Sequence, residues 1–179
     1  MKSLFCILLF MALPESDGKD LLDKALSGCD NLERLEKVER LLDKYGVLED
    51  VPLQCPLKKE YRISSPFGFR THPLSGQRSF HGGVDMAVTV ATPVYATASG
   101  MVAFAGRKGG YGRCVILKHA YGFSTLYGHL IAYYVKKGQP VKAGQPVGFV
   151  GSTGRSTGNH LHYETRKNGK PIKPYWRYD

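Results

Sequence analysis

Residues 113–130 read RCVILKHAYGFSTLYGHL and break into two β-type runs, Cys114–His119 and Phe123–Leu130, around a Tyr-Gly turn signal. Each run is short, rich in β-branched and aromatic residues, and bounded by glycine or polar residues, which is the pattern of strands. The same pattern extends outward to Tyr61–Ser64, Val94–Ala98, Met101–Ala105, Val147–Val150 and His160–Arg166. Seven or more such runs predict a mainly β fold, an antiparallel β-sheet sandwich or barrel-like domain. The 21 Gly and 10 Pro supply the turns this requires. No βαβ alternation, no G-x-G-x-x-G after a strand and no phosphate-binding loop occur, which argues against nucleotide-dependent chemistry.

Upstream the pattern changes. Leu4–Leu13 is an unbroken apolar run behind Met1-Lys2-Ser3. Residues 1–13 therefore read as a signal peptide or an uncleaved anchor, too short to be an ordinary transmembrane helix. Residues 14–45 read as a small helical segment. Asp30 and Glu33 suit a capping box, and Leu32, Leu35, Val38, Leu42 and Tyr45 repeat at three- and four-residue steps. Residues 46–60 read as a linker and 61–179 as the main domain. Export would permit a disulfide between Cys29 and Cys55, whereas Cys114, inside an apolar run, reads as a core thiol.

The 179-residue chain is 42% hydrophobic and 22% charged, which excludes collagen-like, disordered and multi-span membrane classes. Its net charge of +10 is unevenly spread. Residues 1–60 hold 9 Lys/Arg against 12 Asp/Glu, and residues 61–179 hold 16 against 3. The basic part favours an anionic partner, but no recognition helix or interleaved aromatic motif supports specific nucleic-acid binding. Its three acids are Asp85, Glu164 and Asp179, so each carboxylate needs a reason.

All six histidines lie in the basic part. His81 and Asp85 would stand about 13 Å apart on a straight strand, too far to share a metal. Gly82-Gly83 between them allows a bend that brings the two together. His160-Leu161-His162 puts two imidazoles on one strand face, roughly 7 Å apart along the backbone. Such a pair can converge on a metal or flank it, and spacing alone leaves His160 open as a further ligand. Two histidines, one carboxylate and an open position are what a catalytic zinc needs, while Mg²⁺ or Ca²⁺ would want more carboxylates. Glu164 shares a face with His160 and His162 and could orient one of them or pair with a nearby Arg or Lys. The helical motif His-Glu-x-x-His is absent, and His129 in TLYGH is a further candidate for proton transfer. His72 and His119 read as surface or rim residues.

Together, His81-x3-Asp85, Tyr127-Gly128-His129-Leu130 and Gly158-Asn159-His160-Leu161-His162 resemble the lysostaphin/LytM family of zinc metallopeptidases. Ser65-Pro66-Phe67-Gly68-Phe69-Arg70, Thr92-Pro93-Val94-Tyr95-Ala96 and Gly151–Gly158 add to the resemblance, which covers residues 61–176 or so. It implies one Zn²⁺ per chain on His81, Asp85 and His162, with His129 and His160 as catalytic histidines that do not bind the metal. It also implies an exported endopeptidase acting on peptide cross-links of bacterial peptidoglycan. A catalytically silent wall-binding module, or an activator of another wall hydrolase, is the alternative. A further expectation is that the acidic N-terminal segment folds over the groove and limits access.

Overall fold

The computed structural model describes residues 42–43, 46–71 and 78–177. The apolar run 4–13, nearly all of the expected helical segment 14–45, Cys29 and His72 lie outside the described residues. Thirteen strands follow one another. These are β1 (Arg62–Ser65), β2 (Gly68–Thr71), β3 (Arg78–His81), β4 (Val84–Ala87), β5 (Pro93–Tyr95), β6 (Gly100–Arg107) and β7 (Arg113–Lys118). Then come β8 (Phe123–Leu130), β9 (Ala132–Tyr133), β10 (Pro140–Val141), β11 (Pro146–Phe149), β12 (His160–Lys167) and β13 (Lys170–Ile172).

The large sheet runs β1-β4-β12-β8-β7-β6-β10, with β13 also paired to β12. A three-stranded sheet, β5-β11-β9, and the β2-β3 hairpin complete the fold. The strand pairs are antiparallel. This corrects the expected architecture in one respect. The large sheet is not closed into a barrel, because β1 and β10 are its two ends and do not pair with each other. Among the described residues the helical positions are Leu42 and Asp43 and three 3-10 turns, Leu48–Asp50, Gly109–Tyr111 and Ala120–Gly122.

One continuous core joins the sheets, drawing Met86 from β4, Val94 from β5, Leu117 from β7, Tyr127 from β8, Val147 from β11 and Leu161 and Tyr163 from β12. Cys114 is fully buried. The core tyrosines bring hydroxyls that must find partners. Tyr163 donates to Thr97 Oγ1 at 2.9 Å, and Tyr127 Oη accepts from the Thr97 amide at 3.0 Å and from Thr125 Oγ1 at 3.1 Å. His119 closes this network through Thr125 Oγ1 and the Ser99 carbonyl, both at 2.8 Å. It is half-buried, has a structural role and lies outside the pocket that His81, His129, His160 and His162 line. Residues 46–57 also lie against this body, burying Val47, Val51, Leu53 and Leu57 and bonding through Gln54 to Thr97 and through Glu49 to Ser99.

β12 is central in the large sheet, with β4 on one side and β8 on the other, so His162 lies opposite both Asp85 and Gly128. Two glycines make this packing possible. A side chain at Gly83 would collide with the Tyr163 carbonyl at 2.4 Å, so only glycine lets the chain enter β4 this close to β12. At Gly128 a Cβ would press on His162 Cβ at 3.3 Å.

Candidate metal centre

His81 ends β3 and Asp85 lies in β4, so the Gly82-Gly83 bend carries the chain from the hairpin into the large sheet. The bend replaces the long straight-strand separation with 3.2 Å between His81 Nε2 and Asp85 Oδ1. From the neighbouring strand, His162 Nδ1 stands 2.8 Å from the same Oδ1 and 3.1 Å from His81 Nε2. Among the described residues these three form the group of His, Cys, Asp or Glu able to hold a metal ion.

Each imidazole is held from behind. His81 Nδ1 lies 2.8 Å from the Pro66 carbonyl, which can only accept, so Nδ1 carries the proton and Nε2 keeps a bare lone pair. His162 Nε2 lies 3.0 Å from Glu164 Oε1, which assigns the proton to Nε2 and leaves Nδ1 free to bind a cation. Ligands on a four-coordinate zinc stand about 3.3 Å apart, and the observed triangle of 2.8–3.2 Å is close to that. Two bare nitrogens at 3.1 Å repel one another, and a shared cation removes the repulsion. The donor set therefore fits one zinc ion.

Electrostatics reinforce the cluster. Burial alone would raise the Asp85 pKa, but the His162 and His81 imidazoles beside it outweigh burial and hold the carboxyl well below its usual range. Burial opposes charge on His162 too, yet Asp85 and Glu164 raise its pKa overall. Glu164 is buried, and burial would raise its pKa, but His162, Tyr111 and Arg166 together lower it. Its Oε1 accepts from Tyr111 Oη at 2.8 Å, and its Oε2 accepts from Arg166 Nε at 2.7 Å. Glu164 thus serves both of the uses its position suggested, orienting a histidine and pairing with an arginine.

His129 and His160 border the same open pocket of about 340 Å³, with ring centroids 4.6 Å apart. His129 Nδ1 donates to the Thr153 carbonyl and His160 Nδ1 to the Gly158 carbonyl, each at 2.8 Å. Both Nε2 atoms are left as acceptors. His160 Nε2 lies 3.8 Å from Asp85 Oδ1, outside the tight donor triangle. His129 has φ of 60°, an uncommon conformation for a non-glycine residue. Burial, with lesser contributions from the neighbouring groups, lowers its pKa to about 4, so it is neutral at neutral pH.

The structure brings together all five residues singled out in the sequence, and adds three. Tyr111 and Arg70 line the pocket, and Arg166 braces Glu164. Tyr111 is placed by close docking of two glycine loops, in which a Cβ on Gly112 would meet the Thr153 carbonyl at 2.4 Å. Its hydroxyl pKa is raised to about 12 by burial and by Glu164. The glycines around Tyr111 were the available signal, since a Gly-Gly-Tyr-Gly run marks close backbone approach.

The chain is similar to known peptidases. It is 55% identical over 113 residues to the DD-carboxypeptidase/endopeptidase Mpg of Neisseria meningitidis serogroup B, covering 63% of this chain and 26% of that protein. It spans about a quarter of the length of that relative. Among solved structures it resembles a zinc containing peptidase from Vibrio cholerae, with TM-score 0.62 and 38% identity over 68% of this chain and 38% of that one. It also resembles the catalytic domain of the antimicrobial peptidase lysostaphin from Staphylococcus simulans, with TM-score 0.58 and 36% identity over 64% of this chain and 89% of that one. The model of peptidase family M23 matches residues 79–174, most of the strands that build the metal centre among them. The chain belongs to peptidase family M23.

Proposed function

We propose that this protein is a zinc-dependent endopeptidase that hydrolyses peptide cross-links of bacterial peptidoglycan. The observation that carries this reading is the convergence of three donor atoms, His81 Nε2, Asp85 Oδ1 and His162 Nδ1, beside two further histidines in one open pocket. Family membership and the resemblance to Mpg and to a zinc containing peptidase support it. In this reading His81, Asp85 and His162 hold one Zn²⁺. Bound there, zinc supplies Lewis-acid polarisation of the scissile carbonyl and a hydrolytic water of lowered pKa.

The chain's own residues do the rest. Pro66 and Glu164 hold the tautomers of His81 and His162, and Arg166 keeps Glu164 ionised where burial would neutralise it. His129, neutral through burial, offers Nε2 as the acceptor of a proton at the start of hydrolysis. His160 Nε2 stands 3.8 Å from Asp85 Oδ1 on the same pocket wall, placed to assist the departing amine. A peptidoglycan substrate puts the activity outside the cytoplasm, in keeping with the leader or anchor read over residues 1–13.

The test is digestion of purified peptidoglycans by the full chain, before and after zinc removal and restoration, with fragments read by mass spectrometry. New amino and carboxyl termini within peptide cross-links, lost with the metal and regained with it, are expected. A protein that binds zinc and cleaves no wall type would instead be the silent wall-binding module or activator.

A further inference from the structure

Arg70 presents an unused hydrogen-bonding edge beside the donor triangle. It lies in β2, opposite Ser79 of β3, and lines the pocket with His81 and Asp85. Its Nη2 makes a loose ion pair with Asp85 Oδ2 at 3.5 Å, while Asp85 Oδ1 faces the imidazoles. Its Nε is buried and has no hydrogen-bond partner. An arginine is permanently charged, and burying one of its N–H groups without an acceptor is costly. Such an orphan donor at the wall of an active pocket is explained by a ligand that completes it.

The chemistry of that ligand follows from the pocket. Both of its carboxylates are engaged internally, Asp85 by His81, His162 and Arg70, and Glu164 by His162, Tyr111 and Arg166. Neither can move to Arg70 Nε without abandoning a histidine. Exposed Arg155, which lines the same pocket, adds a second positive charge, so the missing acceptor is an anion from outside the chain. The Nε–Nη edge of a guanidinium matches the two oxygens of a planar carboxylate.

We propose that Arg70 is a specificity-determining residue that binds a free carboxylate of the peptide substrate beside the bond that is cut. The site then prefers acidic peptides to the same peptides in amidated form. This rests on the endopeptidase reading above and names the substrate class of that same pocket.

The experiment compares synthetic cross-linked peptides in which each carboxylate next to the scissile bond is in turn replaced by a carboxamide. For one position the parent protein is expected to favour the carboxylate by about tenfold or more in kcat/KM, mostly through KM. Arg70→Gln is expected to bring that ratio to near one with zinc content unchanged. Arg70→Lys, which keeps the charge and loses the fork, is expected to give an intermediate ratio and serves if the glutamine variant does not fold. An arginine that only props Asp85 would lower cleavage of both peptides by the same factor. A ratio unchanged in the variants, or absent in the parent, overturns the proposal. Cleavage of neither peptide by the parent overturns the endopeptidase reading itself.

Discussion

The two faces of β12 are both buried and both polar, yet they differ in what their polar atoms have left to offer. On one face Tyr163 and Thr165 join Thr97, Tyr127, Thr125 and His119 in a network of mutually bonded hydroxyls. On the other, His160 and His162 stand beside His129 and Asp85 around an open pocket. His119 and His129 make the contrast sharp, since burial lowers both pKa values to about 4. His119 uses both ring nitrogens within the protein, whereas His129 uses Nδ1 and keeps Nε2 for the pocket. Burial and a shifted pKa thus do not separate a structural histidine from one proposed to be catalytic. The unspent lone pair does.

The largest effect is expected from His162→Ala. It removes a proposed ligand at the centre of the cluster, so zinc content and activity should fall together, activity by on the order of 10³-fold or more. His129→Ala should keep zinc and lose about 10²–10⁴-fold in kcat, measured on a defined cross-linked peptide. Loss of zinc in that variant would erase the distinction between ligand and proton carrier. Glu164→Gln keeps the shape of the side chain but removes the charge behind His162. Zinc affinity should then weaken by about 10–100-fold, as read by competition with a chelating dye.

The smallest effect concerns the other face. The folded pKa of His119, about 4, lies below the 6.5 of an unperturbed histidine. Protonation therefore favours unfolding, so its stabilising contribution is complete above pH 6.5 and falls as pH drops toward 4. The parent should lose on the order of 1–2 kcal/mol through this group between pH 8 and 5. His119→Gln should flatten that part of the denaturation profile and leave activity at neutral pH intact. A parallel loss of cleavage would show that the two faces are not independent.

Much of this organisation was legible in the chain. Alternation in His160-Leu161-His162 assigns the two histidines to one face and Leu161 to the core, because the side-chain period of a strand is two. Gly82-Gly83 marked the bend that makes His81 and Asp85 neighbours. What escaped depends on long-range packing. Strands β2, β3 and β4 are four residues each, β2 and β3 mix polar and aromatic residues, and only their partners define them. Sheet closure is a property of register summed over many strands, so an open sheet and a barrel share one local pattern. Arg70 and Tyr111 reach the pocket through a hairpin and two interlocked glycine loops, and although the glycines mark a close approach, local spacing does not say what is approached.

The account rests on three donor atoms sharing one zinc while His160 and His129 stay outside its shell. X-ray absorption at the zinc edge, on the full chain loaded with one equivalent, tests this most directly. The expected result is a four-coordinate shell of two imidazole nitrogens and two oxygens at about 2.0–2.2 Å. A shell containing three or more imidazoles, or one built only from oxygen, would contradict it.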